Sequence, residues 1–343
     1  FPYAYASLFA VTIPFAGMLF LKRQWILGKR FGFVTPGEMF AAYFQSSVMR
    51  VLTVAVALCF AIPFLALQLR ASGFLFNVLT DGRLPVDTGM WLLAAFMLVY
   101  VGLGGMRTVA YVDVLQCFLL AFGMVVIGVI VLGNVGGWER LTEGMAALAQ
   151  NDTKPTPEGY SHYVAVPGVI QFVPDGPGAA GGAWTSTMIL TYMLAVMGIQ
   201  CSPTFSMWAF SSRSPRPFAP QQVWVSSLVI GFILIFFAAA QGIGAHMLGA
   251  DPAFTETFPE LTSNVMGAAL GEGGLMDTPG KQDMLVPRVI LLMEEIAPWL
   301  IGLLAVCALA AMQSAGSAIV STAGMMSRDI LKQFFMPEAS HAA

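Results

Sequence analysis

The stretch Ala310 to Gly324 reads AAMQSAGSAIVSTAG. It continues an apolar segment that starts near Pro298, then fills with Gln313, Ser314, Ser317, Ser321 and Thr322. In water such a run reads as a loop. In lipid it reads as a site, because polar groups inside an apolar span face a cavity or another helix. Which solvent surrounds this stretch therefore decides the fold.

Composition answers that question. The chain has 343 residues, 57% hydrophobic and 10% charged, with a mean hydropathy of +0.75. Soluble domains carry about 25% charged residues, so the expected solvent is the bilayer. Net charge is −3, which argues against a nucleic-acid partner. Cys59, Cys117, Cys201 and Cys307 lie in or beside apolar runs and form no paired motif, so neither a disulfide framework nor a zinc site is expected. No nucleophile–base pair, histidine cluster or phosphate loop points to an enzyme. The chain opens at Phe1 inside an apolar run and shows no signal peptide, which predicts a piece of a longer protein.

Seven stretches are long and apolar enough to span a bilayer as helices, at roughly 3–21, 50–79, 89–106, 110–133, 184–210, 221–248 and 296–326. None alternates as a barrel strand would. The expectation is an all-α polytopic membrane protein, a single transmembrane domain over 1–343. Basic residues alternate with acidic ones between the spans. Lys22, Arg23, Lys29 and Arg30 follow the first, Arg107 the third, Arg213 and Arg216 the fifth, and Arg328 and Lys332 the seventh. Residues 134–183 and 249–295 are acidic and long. Lys and Arg mark the cytoplasmic side. The first span then runs inward, and both long loops are extracytoplasmic. Residues 138–150 suit a short amphipathic helix, 151–183 an irregular loop, and 256–270 a short helix over an outer vestibule. Asn151-Asp152-Thr153 matches a glycosylation sequon on the outer side.

Polar residues inside these spans are the candidate site. In the second, Pro63 precedes Gln68 and Arg70. Arg70 either pairs with an outer acid such as Asp81 or Asp87, or holds a carboxylate substrate. Between the third and fourth, Gly104 and Gly105 suit a tight turn. Asp113 and Gln116 follow it, as helix-start and packing residues or as a cation way-station. In the fifth, Gly198, Gln200, Ser202 and Pro203 suggest a helix broken at a substrate site, or a simple kink. Gln241, Gly242 and Gly244 in the sixth suggest small-residue packing. In the seventh, the oxygens of Gln313 and Ser314 suit a hard monovalent cation or helix packing.

Three segments carry a family resemblance. FVTPGEMFAAYF (33–44) resembles a cytoplasmic Thr-x-Pro-Glu-type segment. GGMRTVAYVDVLQ (104–116) matches the signature Gly-Gly-x-x-x-Val-x-x-x-Asp-x-x-Gln. AAMQSAGSAIVSTAGMMSRDI (310–330) resembles a sodium-site helix ending in an Asp-Ile pair. Together, in order along the chain, they resemble the sodium:solute symporter family. The resemblance implies a LeuT-type bundle of inverted repeats, in which the seven spans are the second through eighth helices of a ten-helix core. It implies cation ligands at Ala310 (carbonyl), Gln313 and Ser314, with a cytoplasmic carboxylate at Asp113. Gln313 stands where the family has a hydroxyl, which leaves Na+ or H+ coupling open. Gln68, Arg70, Gln200 and Ser202 are the candidate substrate residues. The segment IPFLALQL resembles the monocarboxylate-permease-like members. The expected function is cation-coupled symport of a small organic solute, a monocarboxylate or an amino acid, across the cell's inner membrane. The alternative is a symporter-like sensory module of a signalling protein.

Overall fold

The computed structural model describes residues 3–149, 186–250, 258–263, 282–294 and 297–338, with Thr255 and Met266. The sequon and the 151–183 loop lie outside the described residues, as does most of the expected 256–270 helix. Of the latter, Pro259–Leu261 forms a single turn. Among the described residues there is no strand. Within the described residues, all seven apolar stretches are helical but for short breaks.

The first helix, α1, covers Tyr3–Phe31. A short α2, Pro36–Phe44, follows, started by a full capping box: Thr35 Oγ1 accepts from Glu38 N at 3.1 Å, and Glu38 Oε2 accepts from Thr35 N. Then comes α3, Val48–Leu79, which runs helically through Pro63.

Next is α4, Val86–Val135, which is not one rod. Gly105 sits at φ 59°, ψ −167°, a conformation open to glycine alone. Tyr100 and Gln116 would lie about 24 Å apart on a continuous helix, yet both touch Gln313. The helix therefore folds back at Gly105 into two arms, the third and fourth apolar stretches.

The surface helix α5, Trp138–Ala149, forms as expected. The fifth stretch is broken. After α6, Ser186–Gly198, a tight turn at Ile199–Cys201 leads to Ser202 in extended backbone, and Pro203 opens α7, Pro203–Ser211. Proline fits there because the first turn of a helix has no acceptor waiting for its missing N–H. The sixth stretch joins the π-helical Gln221–Leu234 to α8, Ile235–Ala245. Gly244 packs where a side chain would strike Val131, as the small-residue reading expects. After α9, Leu285–Leu291, the seventh stretch is α10, Pro298–Gln313, then a break at Ser314–Ala315, then α11, Gly316–Met325, and π-helical Met326–Phe335.

Two apolar clusters hold opposite ends of α3: Leu75 with Val131, Met247, Ile290 and Leu304, and Val54 with Ala57, Met207 and Met325. Outside them the surface is apolar too. Leu103, Trp91 and Phe118 are 87%, 76% and 72% exposed. An outward-facing coat of this kind suits hydrocarbon rather than water. The helices α3, α4 and the run Pro298–Phe335 are each long and apolar enough to cross a membrane.

A polar joint ties the chain's last described helix to α2. Asp329 is 0% exposed and accepts a 2.9 Å hydrogen bond from Thr35 Oγ1. Arg50 lies 3.9 Å from the same oxygen, and Arg328 Nε faces Glu38 Oε1 at 3.3 Å. Gly37 leaves room for the Asp329 carboxylate where a side chain would strike it.

Candidate cation and solute sites

The break between α10 and α11 takes a backbone carbonyl out of the helix ladder. Ser314 N–H turns to Met312 O instead of to Ala310 O, so the Ala310 carbonyl loses its usual donor. Ser314 Oγ donates to Ala311 O at 2.7 Å, which keeps its lone pairs available. Ser317 and Ser321 likewise donate to backbone carbonyls, those of Ser314 in the break and of Ser317.

Gln313 is the centre of a cluster. Its Oε1 accepts from Gln116 Nε2 at 2.9 Å, and its backbone carbonyl accepts from Tyr100 Oη at 3.2 Å. Asp113 lies within electrostatic reach of Tyr100. Two oxygens here are buried without a hydrogen-bond partner, Asp113 Oδ1 and Gln116 Oε1. An uncompensated carboxylate oxygen inside a bundle is costly. A set of carboxylate, amide and carbonyl oxygens is the kind of donor set that suits a hard cation.

The candidate solute residues fall into two groups with different neighbours. Gln200 is buried and donates to Gln222 Oε1 at 3.4 Å, beside α1, whose Gln24 donates to Ser206 Oγ at 3.1 Å. Ser202 caps α7 with its backbone alone. Arg70 instead pairs with Asp283, Nε to Oδ2 3.6 Å. The expected acids, Asp81 and Asp87, are not its partners. Asp87 begins α4 and Asp81 sits in the turn before it, whereas the chain before α9 returns over α3. Arg70 lines a cavity, and its neighbour Gln68 does not.

Two residues escaped the sequence reading. Tyr100 is one ring in an apolar run, and Asp283 lies in a loop full of acids. A hairpin at Gly105 was the available clue to Tyr100, since it brings the residues before the turn alongside those after it.

Helical along its described spans but for short breaks, apolar on its outside and polar at those breaks, the chain is an all-α polytopic membrane protein. The family model described as the sodium:solute symporter family matches residues 2–342, and the chain belongs to that family. It is 23% identical over 235 residues to an uncharacterized symporter, YhjB, of Bacillus subtilis, covering 67% of this chain and 43% of that protein. It is 30% identical over 112 residues to the sodium/proline symporter of Salmonella typhimurium, covering 32% of this chain and 22% of that protein. The chain thus matches less than half the length of either relative.

Proposed function

We propose that the protein is a secondary active transporter that couples the entry of a cation, Na+ in the first instance, to symport of a small organic solute by alternating access. It works as a multi-pass protein of the cell's inner membrane, with the basic loops in the cytoplasm. Family membership supports symport. The observation that carries the ion's role is the pair of buried, unpartnered oxygens of Asp113 and Gln116, three residues apart on one helix arm, with Gln116 bonded to Gln313.

In this reading the cation meets Asp113, whose charge attracts it, and Gln116, whose free oxygen completes the contact. Gln313 links the two arms of α4 to the broken seventh helix. Ala310 and Ser314, on the same break, supply a carbonyl and a hydroxyl oxygen by the family resemblance. An ion bound across these elements draws α4 and α10 together, and its release frees them. That is the differential interaction a two-state carrier needs. Helix breaks at Ser202 and Ser314 interrupt the backbone ladder within the spans, as transporters of inverted-repeat construction do at their sites.

The test is uptake into proteoliposomes holding the full-length protein under an imposed Na+ gradient, a proton gradient, or neither. Solute accumulation that ignores both gradients sinks the symport reading.

A further inference from the structure

A cavity of about 460 Å³ lies between α3, the second arm of α4, α10 and the start of α9. That is within the range of small-molecule sites, roughly 300–1,000 Å³. Its walls are apolar, built from residues such as Leu75, Met124, Ile127 and Met312. Two charged side chains line it, Arg70 and Asp283. They stand side by side, 3.6 Å apart and each 54% exposed. The Phe74 ring lies 5.4 Å from the Arg70 guanidinium and steadies it at that rim. Gln241 adds one amide, whose Nε2 is held by Met124 O at 2.7 Å.

This arrangement restricts the occupant. The apolar walls call for an apolar body. A simple monocarboxylate would meet Arg70 but would also bring its charge against Asp283. A simple amine would meet Asp283 and be repelled by Arg70. A molecule with both charges on one carbon satisfies both at once. Its carboxylate takes the planar guanidinium fork, and its ammonium donates to Asp283. The existing ion pair is half-exposed and weakly held, so a ligand can part it.

We propose that this cavity binds an α-amino acid with an apolar side chain, with Arg70 holding the carboxylate and Asp283 the ammonium. The assignment of this ligand as the transported solute rests on the symport reading above. Met312, in the cavity wall, is followed directly by Gln313 of the cation cluster. A side chain packed on Met312 therefore bears on the helix break where the ion is held.

The experiment is direct binding to the purified full-length protein, with and without Na+. The probes are L-leucine, L-phenylalanine, L-proline, and two truncated forms of leucine: isocaproate, which lacks the ammonium, and isoamylamine, which lacks the carboxylate. At least one amino acid should bind. For leucine, each truncation should weaken binding roughly tenfold or more. Asp283→Asn should erase the preference for leucine over isocaproate, and Arg70→Gln should weaken both acids. Both side chains are half-exposed, so these variants should fold. Arg70→Lys, which keeps charge but loses the fork, gives an independent check by weakening leucine less than Arg70→Gln does. Isocaproate binding as tightly as leucine, or no binding of any of the three amino acids, overturns the proposal. Failure of the two readings is distinguishable. Leucine binding in the cavity with uptake that ignores both ion gradients keeps the cavity and removes symport. Ion-driven uptake of a solute whose binding neither Asp283→Asn nor Arg70→Gln alters keeps symport and removes the cavity.

Discussion

The side-chain amides of Gln116 and Gln313, 197 positions apart, meet at 2.9 Å. That bond joins the second arm of α4 to the end of α10, at the level where Tyr100 joins the first arm to the same residue. One glutamine thus reports on the relative position of three helical segments.

The two amides should act as a unit. Gln116→Leu and Gln313→Leu should each raise the Na+ concentration for half-maximal uptake several-fold, the effect of losing a bond of about 1 kcal/mol. The double variant should cost much less than the sum, because the first substitution already breaks the shared bond. Strictly additive effects in a four-member cycle would show that the two residues do not cooperate on the ion.

Gly316 tests the Tyr100 arm. A methyl group there would strike the Tyr100 hydroxyl. Gly316→Ala should push Tyr100 off the Gln313 carbonyl and weaken cation activation, while Gly302→Ala, whose added methyl meets nothing within 4 Å, should not. Comparing Na+ activation curves for the two variants checks this.

The hairpin at Gly105 makes a stability prediction. Gly105→Ala places a side chain in backbone that only glycine adopts easily, at a cost of about 1–3 kcal/mol. Gly102→Ala, three residues earlier in regular helix with open space at its Cβ, is the matched control and should be neutral or slightly stabilising. Thermal unfolding of the purified variants should separate them by several degrees. Equal melting temperatures would mean that the chain turns by another route.

Much of this was legible in the sequence because the physics was local. Paucity of charge implied lipid, and a Gly-Gly pair between apolar runs implied the hairpin. Gly198 through Pro203 implied an interruption, a broken helix or a simple kink, since proline removes a donor whatever surrounds it. The pairings were not legible, because they depend on how helices sit against each other. Arg70 takes Asp283 rather than Asp81 or Asp87, and no spacing along the chain announces that. Gln200 turns to Gln222, away from the neighbours of Arg70, for the same reason. The buried Asp329 belongs to the Asp-Ile pair that closes the 310–330 segment, but its partner Thr35 lies 294 positions away.

That joint should be structural. Asp329→Ala removes the acceptor of Thr35 and the counter-charge of Arg50, leaving buried polar groups unpaired at about 1–3 kcal/mol. Asp329→Asn retains an oxygen for Thr35 and the same volume beside Gly37, so it should cost less. The order wild type, Asn, Ala in melting temperature is the expected readout. Asp329→Asn falling as far as Asp329→Ala would mean that the carboxylate charge, rather than the hydrogen bond, holds the helix.

Asp113 gives the sharpest test of the proposed ion site. Asp113→Asn keeps the shape and removes the charge. Without Na+ the variant should be as stable as wild type or more so, since a buried carboxylate oxygen with no partner is a burden the neutral amide relieves. With Na+ the order should reverse. A bound ion stabilises the native state by RT ln(1 + [Na+]/Kd), about 2.7 kcal/mol at one hundred times Kd, and the variant should forgo most of that. Melting temperatures measured across a Na+ titration, with choline as the control cation, separate the two effects. If wild type responds to pH instead, gaining stability as pH falls while Asp113→Asn does not, the coupling ion is a proton taken up at this carboxylate. If the variant and wild type gain equally from Na+, Asp113 does not hold the ion.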